Sequence, residues 1–232
     1  MPAITGPHIG ETNMIQALFN KIAPRYDLLN RLLSFGQDQF WRKRIINFLP
    51  KQTDLNILDV ATGTADLAIM ILKNAKQVAH VTGIDLATNM LRIGQEKVDK
   101  AALGACIDLQ TGDAHHLGFP DSLFDVVTVA FGLRNMPGKE QALSEMKRVL
   151  KPGGRLIILE FSMPQNAFFK AIYLFYFRHI LPFVGGFISG DQQAYRYLNQ
   201  SVETFSSKEI DSMKAYPLCF GIATIYVADK LA

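Results

Sequence analysis

Leu58-Asp59-Val60-Ala61-Thr62-Gly63-Thr64-Ala65-Asp66-Leu67 reads as an apolar strand that runs into a turn of small residues and then into a helix. Small side chains at such a turn let the backbone approach a ligand at the carboxyl end of the strand, where open α/β sheets bind theirs. At the end of the next apolar run, Thr82-Gly83-Ile84-Asp85, stands a carboxylate that can accept from both hydroxyls of a ribose. A plain strand-to-helix turn with Asp66 in the first helical turn is the ordinary alternative.

Two nucleoside chemistries share that pattern. A dinucleotide needs G-x-G-x-x-G so that its pyrophosphate can rest on helix amides. Here the three positions are Ala61, Gly63 and Asp66, and an aspartate repels phosphate. S-adenosylmethionine carries no phosphate and has a positive sulfonium, so acidic residues near the turn are acceptable. Gly112-Asp113-Ala114 follows the third strand, where Asp113 can accept from an adenine amino group. Ala130-Phe131-Gly132, at the end of a fourth strand, would lie under the bound nucleoside. His115 and His116 have no partner spacing for a metal and read as loop residues, so no metal site is expected.

Working outward, apolar runs at Ile57–Ala61, Val81–Ile84, Phe124–Ala130 and Leu156–Phe161, with a weaker one at Ile107–Thr111, alternate with helical patterns. The helices are expected over Asp66–Asn74, Asn89–Lys100 and Lys139–Leu150, and Lys151-Pro152-Gly153-Gly154 is a stop. Strands alternating with helices predict a mostly parallel, doubly wound α/β sheet. Upstream, Ile15, Leu18, Phe19 and Ile22 mark a helix that Pro24 should end. Leu28, Leu29, Leu32 and Leu33 mark a second, and Phe40, Trp41, Ile45 and Ile46 a third. Beyond Pro164 an aromatic-rich insertion, with Pro182, Gly185 and Gly186 as punctuation, should fold over the sheet. Ser206 and Glu209 suggest a capping box at a further helix, and Gly221–Lys230 a last strand. The organisation is then a helical cap over 1–50, a cofactor-binding core over 51–162, an aromatic lid insertion over 163–205, and a closing helix and strand over 206–232.

The chain has 232 residues, 49% hydrophobic and 19% charged, enough for one large core, and its net charge of +3 makes no case for nucleic acid. Cys106 and Cys219 are too few for a disulfide framework, which suits a reducing cytoplasm. The first residues lack a signal-peptide pattern, and the longest apolar stretch, Ala171–Phe177, is too short to span a bilayer.

Several strings are more specific. They are Ile22-Ala23-Pro24-Arg25-Tyr26-Asp27-Leu28-Leu29-Asn30, Leu33-Ser34-Phe35-Gly36 with Trp41-Arg42, and Phe131-Gly132-Leu133-Arg134-Asn135. Arg148-Val149-Leu150-Lys151-Pro152-Gly153-Gly154-Arg155 and Leu159-Glu160-Phe161-Ser162 complete the set. With these, the chain resembles the bacterial ubiquinone/menaquinone C-methyltransferases from about Asn13 to Asn199. The resemblance implies a class I, Rossmann-like methyltransferase that moves a methyl group from S-adenosyl-L-methionine to a ring carbon of a polyprenylated quinol, demethylmenaquinol first among candidates. It implies cofactor contacts at Asp59, Gly63, Thr64, Asp85, Leu86, Met90, Asp113, Ala114 and Ala130. Ala61 and Ala65 thin the family's glycine-rich turn and should be tolerated if φ stays negative there. Relatives have a longer stretch before the last strand; here Tyr216-Pro217-Leu218-Cys219-Phe220 is short and carries a proline, which predicts a missing or vestigial sixth strand.

For the chemistry, the resemblance points to Arg134, Asn135 and Tyr26. A guanidinium stays charged, so Arg134 is assigned to stabilising a phenolate, with a buried structural ion pair as the alternative, and the base is left open. The aromatic insertion either fills core or receives an isoprenoid tail. Lys170 and Arg178, with Arg25, Arg31, Arg42, Lys43 and Arg44, are positioned in sequence to meet anionic headgroups, which would make the protein peripheral at the inner membrane face. A homodimer is compatible with all of this.

Overall fold

The computed structural model describes residues 9–180, 197, 200–205 and 208–231. The expected cap at Ser206, the N-terminal arm before residue 9 and the insertion's Pro182, Gly185 and Gly186 lie outside the described residues.

Seven strands form one sheet in the order β3-β2-β1-β4-β5-β7-β6. The strands are β1 (Leu55–Val60), β2 (Val78–Asp85), β3 (Ile107–Thr111), β4 (Phe124–Ala130), β5 (Leu150–Phe161), β6 (Lys214–Leu218) and β7 (Ala223–Asp229). The first five run parallel, while β7 is antiparallel to both β5 and β6. Helices α3 (Asp66–Asn74), α4 (Thr88–Lys100) and α5 (Lys139–Val149) are the crossovers. This is the doubly wound, mostly parallel sheet the alternating pattern predicts.

Both faces of the sheet are buried, which explains the near-continuous apolar runs. Ile57, Val126, Ile157 and Ile225 enter one core with Trp41, Ile45 and Ile71. Their neighbours Leu58, Val127, Ile158 and Tyr226 enter the other with Ala142 and Met146. The alternation along each strand is the period-two geometry of the pleat.

Four expectations are corrected, the last of them below. Pro24 does not end the first helix: α1 runs from Ile9 to Leu33 with Pro24 inside. A proline removes the N–H that would bond the carbonyl four residues earlier, here Asn20. The Asn89 side-chain amide takes up that carbonyl at 3.1 Å, and the Asn20 side chain accepts from the Asn89 backbone N–H at 2.9 Å. The start of α4 therefore mends the gap in α1. Second, the sixth strand is present: β6 pairs with β7 with Pro217 opposite Thr224. As an edge strand it can accommodate a proline that a central strand could not. Third, Ala61 and Ala65 adopt positive φ, 55° and 61°.

The Lys151–Gly154 stop follows α5 directly, but it is absorbed into β5 as a register shift opposite β4. Gly153 has φ +75°, and Gly154 is so close to the Lys151 carbonyl that a Cβ would sit 2.8 Å from it. Downstream of Lys208 there is only a short 3-10 turn, Lys208–Ile210, instead of the expected helix. In the insertion, α6 (Ala167–Phe175) is capped by the Asn166 side chain, and its Tyr173 packs with Leu29 of α1 and Val202.

Candidate active site

The strand order turns back between β1 and β4, and a crevice opens at the carboxyl ends of these parallel strands, as expected at such a switch point. The crevice has an empty volume of about 770 Å³, its open mouth included. Strand ends supply one wall: Val60, Ala61 and Gly63 after β1, Asp85 and Leu86 after β2, Asp113 and Ala114 after β3, and Ala130 to Gly132 after β4. Helix α1 roofs it with Thr12, Ile15, Gln16, Phe19 and Tyr26. Gln16 Nε2 donates to the Leu86 carbonyl at 2.6 Å, tying that roof to the rim. The approach of β1 and β4 is tight, since a Cβ on Gly132 would lie 2.6 Å from that of Ala61.

Of the predicted cofactor contacts, Gly63, Asp85, Leu86, Met90, Asp113, Ala114 and Ala130 share this crevice. Asp85 Oδ2 accepts from the Gly63 N–H and Oδ1 from the Ala87 N–H, both at 2.8 Å. The Leu86 N–H adds a third hydrogen bond, and the roughly four acceptor positions of a carboxylate leave room for a ligand hydroxyl. Burial pushes the Asp85 carboxyl above the usual carboxylate range, against the pull of these amides.

Asp59 and Thr64 are placed elsewhere, around a smaller cavity behind the turn. Asp59 is buried beneath the sheet end, accepting from Thr62 Oγ1 at 2.7 Å and Thr128 Oγ1 at 2.6 Å. Burial raises its carboxyl to about 6, although both hydroxyls oppose the shift. The Thr64 hydroxyl donates to Asp27 Oδ1 at 2.6 Å. Lys97 Nζ joins it by donating to Asp27 at 2.8 Å and to Asp66. Burial would raise the Asp66 carboxyl, but Lys97 outweighs it and holds it below the usual range. Asp66 is thus spent in an ion pair that binds α3, α4 and, through Asp27, α1.

His115, dismissed in sequence as a loop residue, lines the crevice. Its Nδ1 meets Asp113 Oδ1 at 2.7 Å, and its Nε2 meets the Pro137 carbonyl. Two acceptors around one ring favour the imidazolium, and the Asp113 hydrogen bond raises the His115 pKa. Asp113 itself, raised by burial, is held lower overall by those His115 bonds. Only a triplet of residues signalled this pair in sequence.

A second chamber, with an empty volume of about 680 Å³, adjoins the first. Phe19, Tyr26, Phe131 and Asn135 belong to the linings of both, so they stand where the two meet. Leu18, Ile22, Leu29 and Phe161 make the rest of its wall largely apolar. The three residues assigned to chemistry gather here: Tyr26, Arg134 and Asn135. The Asn135 side-chain oxygen accepts from the Tyr197 hydroxyl at 3.2 Å. Arg134 is almost wholly buried and donates through Nη1 to Glu160 Oε1 at 2.6 Å and to the Phe131 carbonyl at 2.5 Å. Its guanidinium lies 5.1 Å over the Phe161 ring, while Nε is buried with no partner among the described residues. The ion-pair alternative for Arg134 is therefore present in full, on the wall of the chamber. Ser34 and Arg42, both in the quoted family strings, and Asp38, which was not singled out, also line it; Arg42, expected to face anionic headgroups, is instead buried in an ion pair with Asp38.

Residues 8–216 match the ubiE/COQ5 methyltransferase family. The chain belongs to that family. It is 48% identical to the demethylmenaquinone methyltransferase of Thermus thermophilus, over 92% of this chain and all of that one. It is 43% identical to the ubiquinone/menaquinone biosynthesis C-methyltransferase UbiE of Geotalea uraniireducens, over 93% and 96% of the two chains. Among solved structures, a SAM dependent methyltransferase from Aquifex aeolicus shares the fold, with a TM-score of 0.55 at 17% identity, covering 82% of this chain and 89% of that one. This ubiE/COQ5 member is accordingly an S-adenosyl-L-methionine-dependent methyltransferase. Its crevice suits that methyl donor: carboxylates at successive strand tips, apolar walls and, among the described residues, no lysine or arginine in its lining for a phosphate.

Proposed function

We propose that the enzyme methylates a ring carbon of a polyprenylated quinol, converting demethylmenaquinol to menaquinol, with the cofactor in the crevice and the ring in the adjoining chamber. The observation that carries this is the shared wall of Phe19, Tyr26, Phe131 and Asn135, which joins a carboxylate-bearing nucleoside site to a largely apolar one. The name and identity of the Thermus thermophilus relative support a naphthoquinol over a benzoquinol.

When bound, S-adenosylmethionine supplies an electrophilic methyl group on a sulfonium. In this reading Asp85 takes the ribose hydroxyls and Asp113 the adenine amine, while Ala130 and Gly132 leave room beneath them. Thr64 and Asp59 act at one remove, Thr64 by fixing the turn to α1 and Asp59 by bracing it from below. Ring carbons become nucleophilic when a neighbouring hydroxyl is deprotonated, so the chamber must favour a phenolate. Arg134 does so by its charge, held in place by Glu160, and Tyr26 and Asn135 orient the ring. Orientation of this kind lowers barriers by roughly 7–11 kcal/mol in well-aligned reactions.

The enzyme meets its lipid substrate at the membrane surface in this reading. Phe35, Phe168, Ile172, Phe175 and Phe220 are exposed large apolar side chains on and around α6 and the end of α1. Among the described residues no helix is long and apolar enough to cross a bilayer.

The deciding experiment is anaerobic turnover of a demethylated naphthoquinol with labelled S-adenosylmethionine, product identified by mass. Carbon methylation is expected; methylation at oxygen, or none, overturns the reading. Flotation with liposomes of anionic lipid tests the surface contact, and no binding removes it.

A further inference from the structure

The quinol chemistry needs a proton acceptor, and the groups already placed do not supply one. Arg134 stays charged, and tyrosine and asparagine side chains hold protons too weakly near neutral pH. Among the described residues lining the acceptor chamber, Asp38 is the one carboxylate. It is 4% exposed and sits in the first turn of α2 (Gln37–Ile45). Its Oδ1 accepts from the Ser34 hydroxyl at 3.1 Å, and its Oδ2 accepts from Arg42 Nη1 at 2.7 Å and Gln39 Nε2 at 3.0 Å.

Ser34 also lines the chamber. Its oxygen accepts from the Asp38 backbone N–H at 3.1 Å, which leaves one of two lone pairs open. Of the two acceptors its hydroxyl reaches, Asp38 Oδ1 at 3.1 Å is nearer than the Arg31 carbonyl at 3.5 Å; donating to Asp38 with a lone pair free, Ser34 is set to receive a proton and pass its own on. We propose that Ser34 and Asp38 form a relay that removes the proton from the quinol hydroxyl beside the methylated carbon. The proposal rests on the acceptor-chamber reading above.

Charge accounts for why this pair suits the task. Before transfer the negative charge is on Asp38 beside Arg42; afterwards it is on the ring oxygen, within a chamber walled by Arg42 and Arg134. The transfer moves a charge between cations and creates no new buried ion, so it avoids the desolvation cost of separating charge. Arg42 is held for this by its ion pair and lies 5.2 Å over the Phe131 ring.

The step balances. The quinol O–H breaks, its proton goes to Ser34, and the Ser34 proton goes to Asp38. The electron pair left on oxygen is delivered through the ring to the adjacent carbon, which bonds the methyl carbon as the methyl–sulfur bond breaks and its pair stays on sulfur. The methylated carbon then loses its hydrogen as a proton to solvent, the ring becomes aromatic again, and the oxygen regains the proton from Asp38 through Ser34. One proton is released per methyl transferred.

The charged or titratable groups facing Asp38 are Arg42 on its own helix, with Asp66 of α3 and Arg31 of α1 beyond Gln39. Across the chamber stand Tyr26, Arg134 and Tyr197. The test is the pH profile of kcat and kcat/KM for Asp38→Asn and Ser34→Ala on a demethylated naphthoquinol, with S-adenosylhomocysteine affinity measured in parallel. Each variant should lose ~10²–10⁴-fold at pH 7. Each should then regain about tenfold per pH unit as hydroxide ionises the quinol, up to a phenol's ordinary value of about 10. A second readout needs no turnover: bound 4-methoxy-1-naphthol should absorb as naphtholate more in the wild type than in either variant. A loss equal at every pH, or one that follows weakened S-adenosylhomocysteine binding, overturns the relay and leaves Asp38 as an anchor of α2. Should Asp38→Asn fail to fold, Ser34→Ala, which changes no charge, carries the test alone. A wild type that methylates no quinol refutes the substrate reading instead, and is told apart by that result.

Discussion

Asp59 is the group whose replacement has the most calculable consequence. It is 1% exposed, so solvent screening does not dilute its energetics, and burial lifts its carboxyl from the ordinary 3.8 to about 6. The folded protein therefore holds a proton that the unfolded chain has already released, and the folded state loses stability as pH climbs from about 4 to about 6. At ~1.4 kcal/mol per pH unit, this gap corresponds to ~3 kcal/mol lost above pH 6 and absent below pH 4. Asp59→Asn keeps an acceptor for one threonine and offers a donor to the other, while removing the titration. Equilibrium urea unfolding at pH 7.5 and at pH 5.0 measures it. On acidification over that range the wild type should gain about 1.4 kcal/mol relative to the variant, since Asp59 is by then mostly protonated. Comparing the two proteins at each pH removes the contribution of Asp85 apart from its repulsion of Asp59. Identical pH dependence in the two proteins would refute the assignment of a raised carboxyl at Asp59.

Other perturbations follow from features of the same site. Arg134→Ala should cost about 3–5 kcal/mol of stability, because Glu160 is left charged and buried, and should abolish turnover. In the fraction that remains folded, calorimetry should find S-adenosylhomocysteine affinity near the wild-type value. Asn89→Ala opens the Asn20 carbonyl at the proline gap, at a cost of about 1 kcal/mol, and hydrogen exchange should quicken in the middle of α1. Gly132→Ala drives a methyl to 2.6 Å from the Ala61 Cβ and should destabilise by about 1–3 kcal/mol. Adding Ala61→Gly should restore most of that, so a double-mutant cycle in thermal unfolding should give a clearly non-zero coupling.

Much of the core was legible because each clue was local. The helix over Asp66–Asn74 and the strand over Phe124–Ala130 stand where periodicity put them, and Asp85 and Asp113 were visible as carboxylates at strand tips. What stayed hidden depends on partners distant in the chain. Pro24 looks like a stop until Asn89, 69 residues from Asn20, is seen to mend the break. Nor does the sequence show that the Thr64 hydroxyl donates to Asp27 or that the Asp59 carboxylate accepts from Thr128, partners 37 and 69 residues away. The positive φ at Ala61 and Ala65 was missed because alanine rarely pays that strain, of about 1–2 kcal/mol. The acceptor chamber was the least legible part: Ser34, Arg42, Arg134 and Phe161 each stand in a quoted string, but the strings are far apart in the chain and nothing local shows that they meet.

The proline at 217 has a use beyond being tolerated. An unpaired sheet border invites the strand of another molecule, and proteins that carry exposed greasy side chains are the most vulnerable to such recruitment. With Lys214 and Pro217 along β6, the outermost strand offers a charge and lacks one donor where an intruding chain would seek its hydrogen bonds. That border is therefore a poor template for strand-to-strand pairing between copies of the chain.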